Sequence, residues 1–280
     1  MSSSVLGRFR PQPQFLIGDL FANYWSEREE PIPSAALVAL LGDFGITVSG
    51  SRTALSRLAR AGRVERTTVG RHTYYRQTAY GAERIRIVHA QLVAFGPEPR
   101  PWDGEWRLVA FHVSEAERDK RPALRSHLRA LGFGPLFDGL WISPRADEDE
   151  VARTLRAVGV DNATVFRARI TSGGDPGRAW DLGALAGRYR DFVACFEPYL
   201  RAARERSLSP AEALVVRTAA HYWWRRFAAD DPDLPLRFLP RPWPRADAHR
   251  VFAALDAELE PLARRHVEET VAAARDGTSR

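Results

Sequence analysis

Cysteine is almost absent from this sequence of 280 residues. The single cysteine, Cys195, excludes a disulfide within one chain and any metal cluster held by several thiolates. No apolar run approaches the ~20 residues that a membrane span requires. The apolar residues near Phe15 are interrupted by Asp19, so the sequence does not predict a signal peptide. We therefore expect a cytoplasmic protein without a membrane association.

The motifs of common catalytic sites are also missing. The sequence has no Gly-x-Ser-x-Gly elbow, and no Gly-rich phosphate loop that ends in Lys-Ser or Lys-Thr. His89, His221, His249 and His266 do not have the spacing of metal ligands. The sequence therefore predicts no catalytic residue, no metal site and no cofactor.

Lysine is scarce as well, because Lys120 is the only one and arginine supplies the remaining positive charge. This charge is unevenly distributed. From Ile46 to Ala90 there are nine arginines and two glutamates, a formal net charge of +7, compared with +6 for the whole chain. Such a local excess is typical of a surface that binds the phosphate backbone of nucleic acid. A solvated arginine-rich surface is the alternative.

The same segment has the pattern of an amphipathic helix. Ser49 can cap its start by accepting a hydrogen bond from a free backbone N–H of the first turn. Leu55, Leu58, Ala59 and Gly62 recur at i, i+3, i+4 and i+7, which predicts one apolar face. Gly62 is suited to the position after the helix, where a left-handed backbone is common.

A basic hairpin is predicted to follow this helix. The runs Val64–Val69 and Thr73–Tyr75 favour strands, and Gly70–His72 is the predicted tip. A helix with a basic outer face followed by a basic hairpin is typical of a winged helix-turn-helix, in which the helix enters a major groove and the wing touches the neighbouring backbone. The predicted DNA contacts are Ser51, Arg52, Thr53, Ser56, Arg57, Arg60, Arg66, Arg71 and His72.

Within this set, Arg57 is the best candidate for a base contact, since a guanidinium matches guanine O6 and N7. Arg66, Arg71 and His72 are predicted to contact phosphate, which positions a protein without reading sequence.

Two further helices complete the predicted N-terminal domain, residues 14–95. Apolar spacing predicts them over Phe15–Trp25 and from a Ser34 cap to Leu41. The Tyr80-Gly81 step is predicted to interrupt the chain before a linker helix, Ala82–Ala94.

A different pattern extends over residues 102–175. Three extended stretches alternate with two helical ones, and this β-α-β-α-β order predicts a ferredoxin-like α+β domain. The predicted elements are Trp106–Val113, Ala116–Leu131, Phe133–Pro144, Asp147–Val158 and Ala163–Ile170.

Residues 180–275 are predicted to form a helical C-terminal domain. Leu182–Arg206 is predicted to be a helix with a break or kink at Pro198, and the next helix begins at a Ser209 cap with Pro210 at its first position. A last helical stretch, Ala246–Ala274, is predicted to be divided by Pro261. The predicted fold class is thus an α+β multidomain protein.

Three stretches together resemble the PaaX family of bacterial transcriptional regulators, the phenylacetic-acid degradation repressors. They are SRTALSRLARAGRVERTTVGRHTYYRQT, WRLVAFHVSEAERDKRPALRSHLRALGFGPLFDGLWISPR and DPDLPLRFLPRPWPRADAHRVFAAL. The resemblance implies a winged-helix domain, a central domain like a small CRISPR-associated nuclease subunit, and a helical C-terminal domain. It also implies a homodimer that represses a catabolic operon and is released by an aryl-acyl-CoA such as phenylacetyl-CoA. We therefore expect the dimer to bind double-stranded DNA at an inverted-repeat operator.

Two alternatives to this interpretation remain open. The first is a metal-dependent nuclease built on the central domain, which would need a carboxylate at the end of the first strand to hold Mg²⁺. That strand ends in Phe111-His112-Val113, and Glu115 and Asp138 favour helix-start and turn positions instead. The second is a DNA-binding regulator without a small-molecule effector.

The stretch from His221 to Arg226 is the candidate for effector contact. Aromatic rings could stack on an aryl or adenine group, and arginines could pair with the phosphates of CoA. The predicted effector residues are His221, Trp224, Arg225 and Arg226. Aromatic residues at helical spacing are more often core residues, so a purely structural role for the rings is the favoured alternative.

Overall fold

The computed structural model describes residues 9–26 and 30–277. The helices in these ranges are α1 (Pro13–Tyr24), α2 (Ser34–Asp43), α3 (Val48–Arg60), α4 (Ala79–Ala94), α5 (Lys120–Ala130), α6 (Glu148–Val158), α7 (Leu182–Arg204), α8 (Pro210–Asp230) and α9 (Arg245–Asp276). The strands are β1 (Ile32–Pro33), β2 (Val64–Val69), β3 (His72–Gln77), β4 (Trp106–Phe111), β5 (Gly134–Phe137), β6 (Leu140–Ser143) and β7 (Ala163–Ala168).

The described residues divide into two compact units. The first unit contains the residues up to Ala94, Val193–Trp224 and the residues from Arg250 onward, and the second contains Phe95–Phe192 and Arg225–His249. The segment predicted as a separate helical domain, residues 180–275, therefore contributes to both units. Its amphipathic helices bury apolar side chains in each of them.

In the first unit, α1, α2 and α3 pack around buried leucines, and β2 and β3 form a hairpin. β1 pairs with β3, which gives a three-stranded antiparallel sheet in the order β1-β3-β2. The predicted Ser34 cap is wrong, because α2 begins at Ser34 itself and Pro33 occupies the N-cap without a side-chain hydrogen bond.

The junction between α3 and β2 is closed by backbone hydrogen bonds. The N–H of Arg63 donates to the carbonyl of Leu58 at 3.0 Å, and the N–H of Gly62 donates to Ala59 at 3.0 Å. This pair of bonds is a Schellman motif, and it needs the left-handed backbone that Gly62 adopts with φ of 66°. The predicted glycine at the end of the helix is confirmed.

Gly81 lies inside α4 and does not interrupt the chain, so the predicted break at Tyr80-Gly81 is wrong. The glycine has a packing role instead. A Cβ atom at Gly81 would lie 2.0 Å from the carbonyl oxygen of Arg63. The first turn of α4 therefore lies directly against the end of the α3–β2 junction. Thr78 strengthens this contact by donating its hydroxyl to the carbonyl of Gly62 at 2.5 Å.

The second unit contains a four-stranded sheet in the order β5-β6-β4-β7, with every neighbouring pair antiparallel. The predicted single extended stretch over residues 133–144 is wrong. It is a hairpin, β5 and β6, whose turn includes Gly139 with φ of 76°. The element order is therefore β-α-β-β-α-β, with α5 and α6 packed on one face around Val109, Leu124 and Trp141.

The other face of this sheet is covered by residues from outside the sheet domain. Trp106, Leu108 and Ile142 pack there against Leu182 of α7 and Leu234 of the α8–α9 loop. This second core explains why part of the C-terminal chain belongs to the same unit as the sheet.

The guanidinium of Arg245, at the start of α9, is completely buried in the second unit. Its Nε donates to the carbonyl of Gly96 at 2.9 Å, and its Nη1 donates to Oδ1 of Asp233 at 2.6 Å. The guanidinium carbon also lies 3.8 Å from the ring centroid of Phe95, a close cation–π contact.

Asp233 also forms ion pairs with two further arginines. The Nε of Arg100 lies 2.8 Å from Oδ2 of Asp233, and the Nε of Arg145 lies 2.8 Å from the same oxygen. Its neighbour Asp231 accepts a hydrogen bond from the hydroxyl of Tyr189 at 2.7 Å. The network joins the linker before β4, the chain after β6, α7 and the α8–α9 loop.

The C-terminal helices confirm one predicted cap and contradict one predicted break. Ser209 caps α8, because its hydroxyl accepts the N–H of Glu212 while the Glu212 carboxylate accepts the N–H of Ser209. Pro210 is the first residue of α8, as predicted. Pro261 lies inside the continuous helix α9 and does not divide it.

We expect Gly81→Ala to destabilise the first unit, because the added methyl group would displace the backbone of Arg63. The free energy of unfolding is expected to fall by about 1–3 kcal/mol, measured by urea denaturation. Gly18→Ala, in α1 of the same unit, is the matched control, since a Cβ atom there meets nothing within 4 Å. An equal effect of both substitutions would contradict the close approach at Gly81.

We also expect Asp233→Asn and Asp231→Asn to differ in their effects. Burial acts to raise the pKa of Asp233, but hydrogen bonds from Arg100 and Arg245 outweigh it and the pKa is lowered. For Asp231, burial dominates and the pKa is raised. The charged form is therefore favoured by folding at position 233 and disfavoured at position 231.

At neutral pH, Asp233→Asn is expected to lower the free energy of unfolding by about 3 kcal/mol or more, because buried Arg245 loses its nearest carboxylate. Asp231→Asn keeps one acceptor oxygen, for either the hydroxyl of Tyr189 or the N–H of Asp233, and it leaves the carboxylate nearest to Arg245 in place, so a smaller loss is expected. Since the pKa of Asp233 is lowered, its contribution is lost only as the pH falls below about 3.9. Thermal denaturation of both variants from neutral to acidic pH would test this contrast.

Candidate nucleic-acid interface

The N-cap of helix α3 lies two residues earlier in the chain than predicted. Thr47 occupies the N-cap, and its Oγ1 accepts the N–H of Gly50 at 3.1 Å. The predicted cap at Ser49 is therefore wrong, because Ser49 already lies in the first turn of the helix. In the sequence Thr47-Val48-Ser49, either hydroxyl residue can serve as an N-cap. Thr47 is the cap in the structure, and its extended backbone, with φ of −66° and ψ of 155°, suits that position.

The two faces of α3 have different surroundings. Ala54, Leu55 and Leu58 are buried against the other helices of the first unit. Ser51 lies on this same buried face, and its hydroxyl donates to the carbonyl of Thr47 at 3.0 Å. Its exposed fraction is 0%, so the prediction that Ser51 contacts DNA is wrong. The sequence does not reveal this burial, because a small polar side chain can be buried when it donates a hydrogen bond to its own helix.

The opposite face of α3 is exposed along its whole length. It carries five of the predicted contact residues: Arg52, Thr53, Ser56, Arg57 and Arg60. They recur at i, i+1, i+4, i+5 and i+8, so they share one side of the helix.

Most of the arginines in this segment have no carboxylate partner within residues 9–26 and 30–277. Arg76 pairs with Glu65 at 2.8 Å, and Arg86 pairs with Glu83 at 2.7 Å. These two pairs use the only acidic residues between Ile46 and Ala90. The remaining arginines are exposed and form no ion pair with the other described residues. They include every predicted arginine contact: Arg52, Arg57, Arg60, Arg63, Arg66, Arg71 and Arg84.

The hairpin that follows α3 is six residues long on each strand, with Val69 opposite His72. Its turn is Gly70-Arg71, so the predicted tip Gly70–His72 is one residue too long and His72 is the first residue of β3. Gly70 has φ of 60°, a conformation that glycine allows in a two-residue turn. Arg66 and Arg71 are exposed, and the Nε of Arg71 lies 3.3 Å from Nε2 of His72.

The junction between helix and hairpin is held by contacts from two directions. The Schellman bonds hold the end of α3 to the start of β2, and α4 packs on that junction through Gly81. A cationic helix face next to a cationic hairpin can bind the phosphates of a nucleic-acid duplex and present the helix to base edges.

The predicted effector residues do not form an exposed site. His221 is buried, and its Nε2 lies 2.6 Å from Oδ1 of Asp256. The ring of Trp224 has no exposed surface and stacks on Phe252, with centroids 5.0 Å apart. These two residues are core side chains of the first unit, which corrects the prediction of ligand contact. Arg225 is half-buried and Arg226 is exposed, and both belong to the second unit.

The acidic residues near the end of β4 are held in ion pairs. Glu115 lies 3.3 Å from Arg118 and 3.5 Å from Arg121, and Asp138 lies 3.0 Å from Arg125. Across the part of the chain that the structure describes, no three or more histidine, cysteine or acidic side chains are grouped so that they could hold a metal ion. Within the same residues, no helix combines the length and the apolar character needed to cross a bilayer.

Comparison with known protein families gives three matches along the chain. Residues 12–81 match the family described as PaaX-like protein. Residues 99–179 match the PaaX protein central Cas2-like domain, and residues 180–269 match the PaaX-like protein C-terminal domain. The matches divide the chain into an N-terminal domain of helices and strands, a central sheet domain and a C-terminal helical domain.

The chain is similar over most of its length to a known repressor and to a protein of known structure. The transcriptional repressor PaaX of Escherichia coli (strain K12) is 27% identical over 265 residues, which cover 91% of this chain and 82% of that protein. The structure of an uncharacterized protein from Mycobacterium tuberculosis covers 95% of this chain and 100% of its own, with a TM-score of 0.58 and 22% identity. The second similarity concerns the fold alone.

Proposed function

Because this chain belongs to the PaaX-like family, we propose that it is a transcriptional regulator that binds a specific double-stranded DNA operator and represses transcription. The observation that carries the proposal is the exposed face of α3, whose arginines have no carboxylate partner among the described residues. The similarity to a transcriptional repressor supports the proposal that this DNA binding regulates transcription. We also propose that the protein has no enzymatic activity.

The proposed docking is that of a winged helix. Helix α3 is the recognition helix in the major groove, and the β2–β3 hairpin is the wing on the adjacent backbone. Arg57, near the middle of the exposed face, is proposed to read a guanine through its guanidinium. Arg66 and Arg71 are proposed to bind phosphates, which adds affinity without adding sequence preference.

The proposed oligomer is a homodimer on an inverted-repeat operator. A two-fold dimer presents two recognition helices to two half-sites, so the spacing of the half-sites reflects the spacing of the helices. The β-α-β-β-α-β sheet of the second unit has the strand order of a ferredoxin-like domain. We propose that this domain, the C-terminal helices or both hold the two copies at the required distance.

The proposed regulated genes form an aromatic-acid catabolic operon, and the proposed effector is an aryl-acyl-CoA such as phenylacetyl-CoA. Release requires that the effector binds more tightly to the arrangement that fits the operator poorly. A regulator without an effector would bind the same DNA but would not respond to the thioester.

A labelled fragment from upstream of the gene itself would test the proposal in a gel-shift assay with excess competitor DNA and Mg²⁺, with and without phenylacetyl-CoA. Specific retention that the thioester abolishes supports both the regulator and the effector. Specific retention that the thioester does not change would support the regulator and contradict the proposed effector. A cleaved probe would support a nuclease on the central domain instead.

We expect Arg57→Ala and Arg71→Ala to weaken operator binding in different ways. Arg57→Ala should cost about 1–3 kcal/mol and relax the preference at one base pair, because one guanidinium–guanine contact is lost. Arg71→Ala should weaken specific and non-specific binding equally and reduce the slope of log K against log salt concentration by about 1. Gel-shift titrations over a salt series, with a set of single-base operator variants, would measure both effects.

Ser51→Ala is the matched control on the same helix. Its hydroxyl faces the protein interior, so operator affinity should stay unchanged. If Ser51→Ala relaxed base preference and Arg57→Ala did not, the proposed orientation of α3 on DNA would be wrong.

A further inference from the structure

An open cavity of about 620 Å³ lies within the second unit. It is bounded by the start of β4, the loop after β7 and the three-residue helical turn Leu236–Phe238 in the α8–α9 loop. A cavity of this size falls within the ~300–1,000 Å³ that small-molecule sites occupy. None of the residues predicted from sequence as effector contacts lines it.

One wall of the cavity consists of three aromatic rings. The centroids of Trp102 and Trp106 are 5.1 Å apart, and the ring of Phe238 lies 5.8 Å from the first and 5.2 Å from the second. Trp106 is buried in the sheet core and Trp102 is half-buried. Such a wall offers stacking surface to a planar aromatic group.

A cation lies on this aromatic wall. The guanidinium carbon of Arg237 is 4.7 Å from the centroid of Trp102 and 4.8 Å from that of Phe238. Stacking holds the guanidinium in place without using its N–H groups. No carboxylate in the described ranges lies within ion-pair distance of Arg237, so its charge and its donors are available to a ligand.

The cavity lining also includes a second cation and a run of backbone N–H donors. Arg169 is 75% exposed, and its contact with Glu105 is long, at 3.8 Å. The N–H groups from Thr171 to Gly174 make no hydrogen bond to other described residues. Asp175 also lines the cavity, but its Oδ1 already accepts the N–H of Gly177 at 2.8 Å.

From these contacts we infer that the cavity binds a small molecule that combines an aromatic ring with an anionic group. The ring would pack against the half-buried rings of Trp102 and Phe238 beside the Arg237 guanidinium, and the anionic group would pair with Arg237 and Arg169. An aromatic carboxylate carries its negative charge next to the ring, whereas its acyl-CoA thioester has the same ring and carries its negative charge on the phosphates of CoA. The inference rests on the proposed function only for its regulatory consequence, in which this ligand releases the regulator from DNA.

Isothermal titration calorimetry of the full-length protein would test binding directly, with phenylacetyl-CoA, phenylacetate and free CoA as separate ligands. The thioester and the free acid distinguish the two sources of the aromatic anion, and free CoA reveals binding through the nucleotide alone. Arg237→Ala is expected to lower the affinity for the aromatic ligand by about tenfold or more, because a charge-assisted contact is lost. Arg237→Lys keeps the charge and is expected to recover part of that loss.

Arg241→Ala is the matched control, since Arg241 is exposed in the same loop and does not line the cavity. Its ligand affinity should stay within about twofold of the natural protein, a difference well below one charge-assisted contact. Gel shifts without ligand should give the same operator affinity for both alanine variants.

Each other outcome would overturn the site. Equal ligand affinity in Arg237→Ala and the natural protein would place the effector elsewhere while DNA binding and release remain intact. Absence of binding by both aromatic ligands would reject the inferred chemistry, and the gel shift without ligand would still test the regulator. Binding of free CoA as tightly as the thioester would show that the aromatic wall contributes nothing.

Discussion

The buried charge of Arg245 is the constraint on which the second unit depends. A guanidinium removed from water must find hydrogen bonds and a counter-charge inside the protein, because an unpaired buried ion would cost several kcal/mol. Asp233, in the α8–α9 loop, supplies the counter-charge, and the linker before β4 supplies the carbonyl of Gly96 and the ring of Phe95. The linker before β4 and the loop before α9 are thereby held on the same side of the sheet.

A second constraint governs the candidate DNA-binding surface. The glycine at position 62 lets the helix end in a Schellman motif, and the glycine at position 81 lets α4 approach the backbone of Arg63. These contacts fix the direction in which the hairpin leaves the helix. Because both elements carry arginines that form no ion pair with the other described residues, a fixed angle between the two elements means a fixed arrangement of charge. Rigid placement of this kind is what base readout requires, since a contact misplaced by a small distance loses its hydrogen bonds.

The two candidate ligand regions show why the role of aromatic residues is ambiguous in sequence. His221 and Trp224 lie in an aromatic, arginine-rich stretch, yet both are packed in a helical core. Trp102 and Phe238 are far apart in sequence and flanked by prolines, and they meet at a cavity with Arg237 between them. Only long-range packing brings the latter pair together.

Local physics was enough to predict much of this protein from its sequence. Apolar periodicity, the cap at Ser209, the glycine after α3 and the clustering of arginines each depend on residues close in the chain, so the helices, the basic hairpin and the charged face were predictable. Tertiary structure decided what depends on distant residues. The burial of Ser51, the packing role of Gly81, the division of the C-terminal helices between two units and the cavity beside Arg237 all follow from which surfaces meet, and no local pattern encodes that.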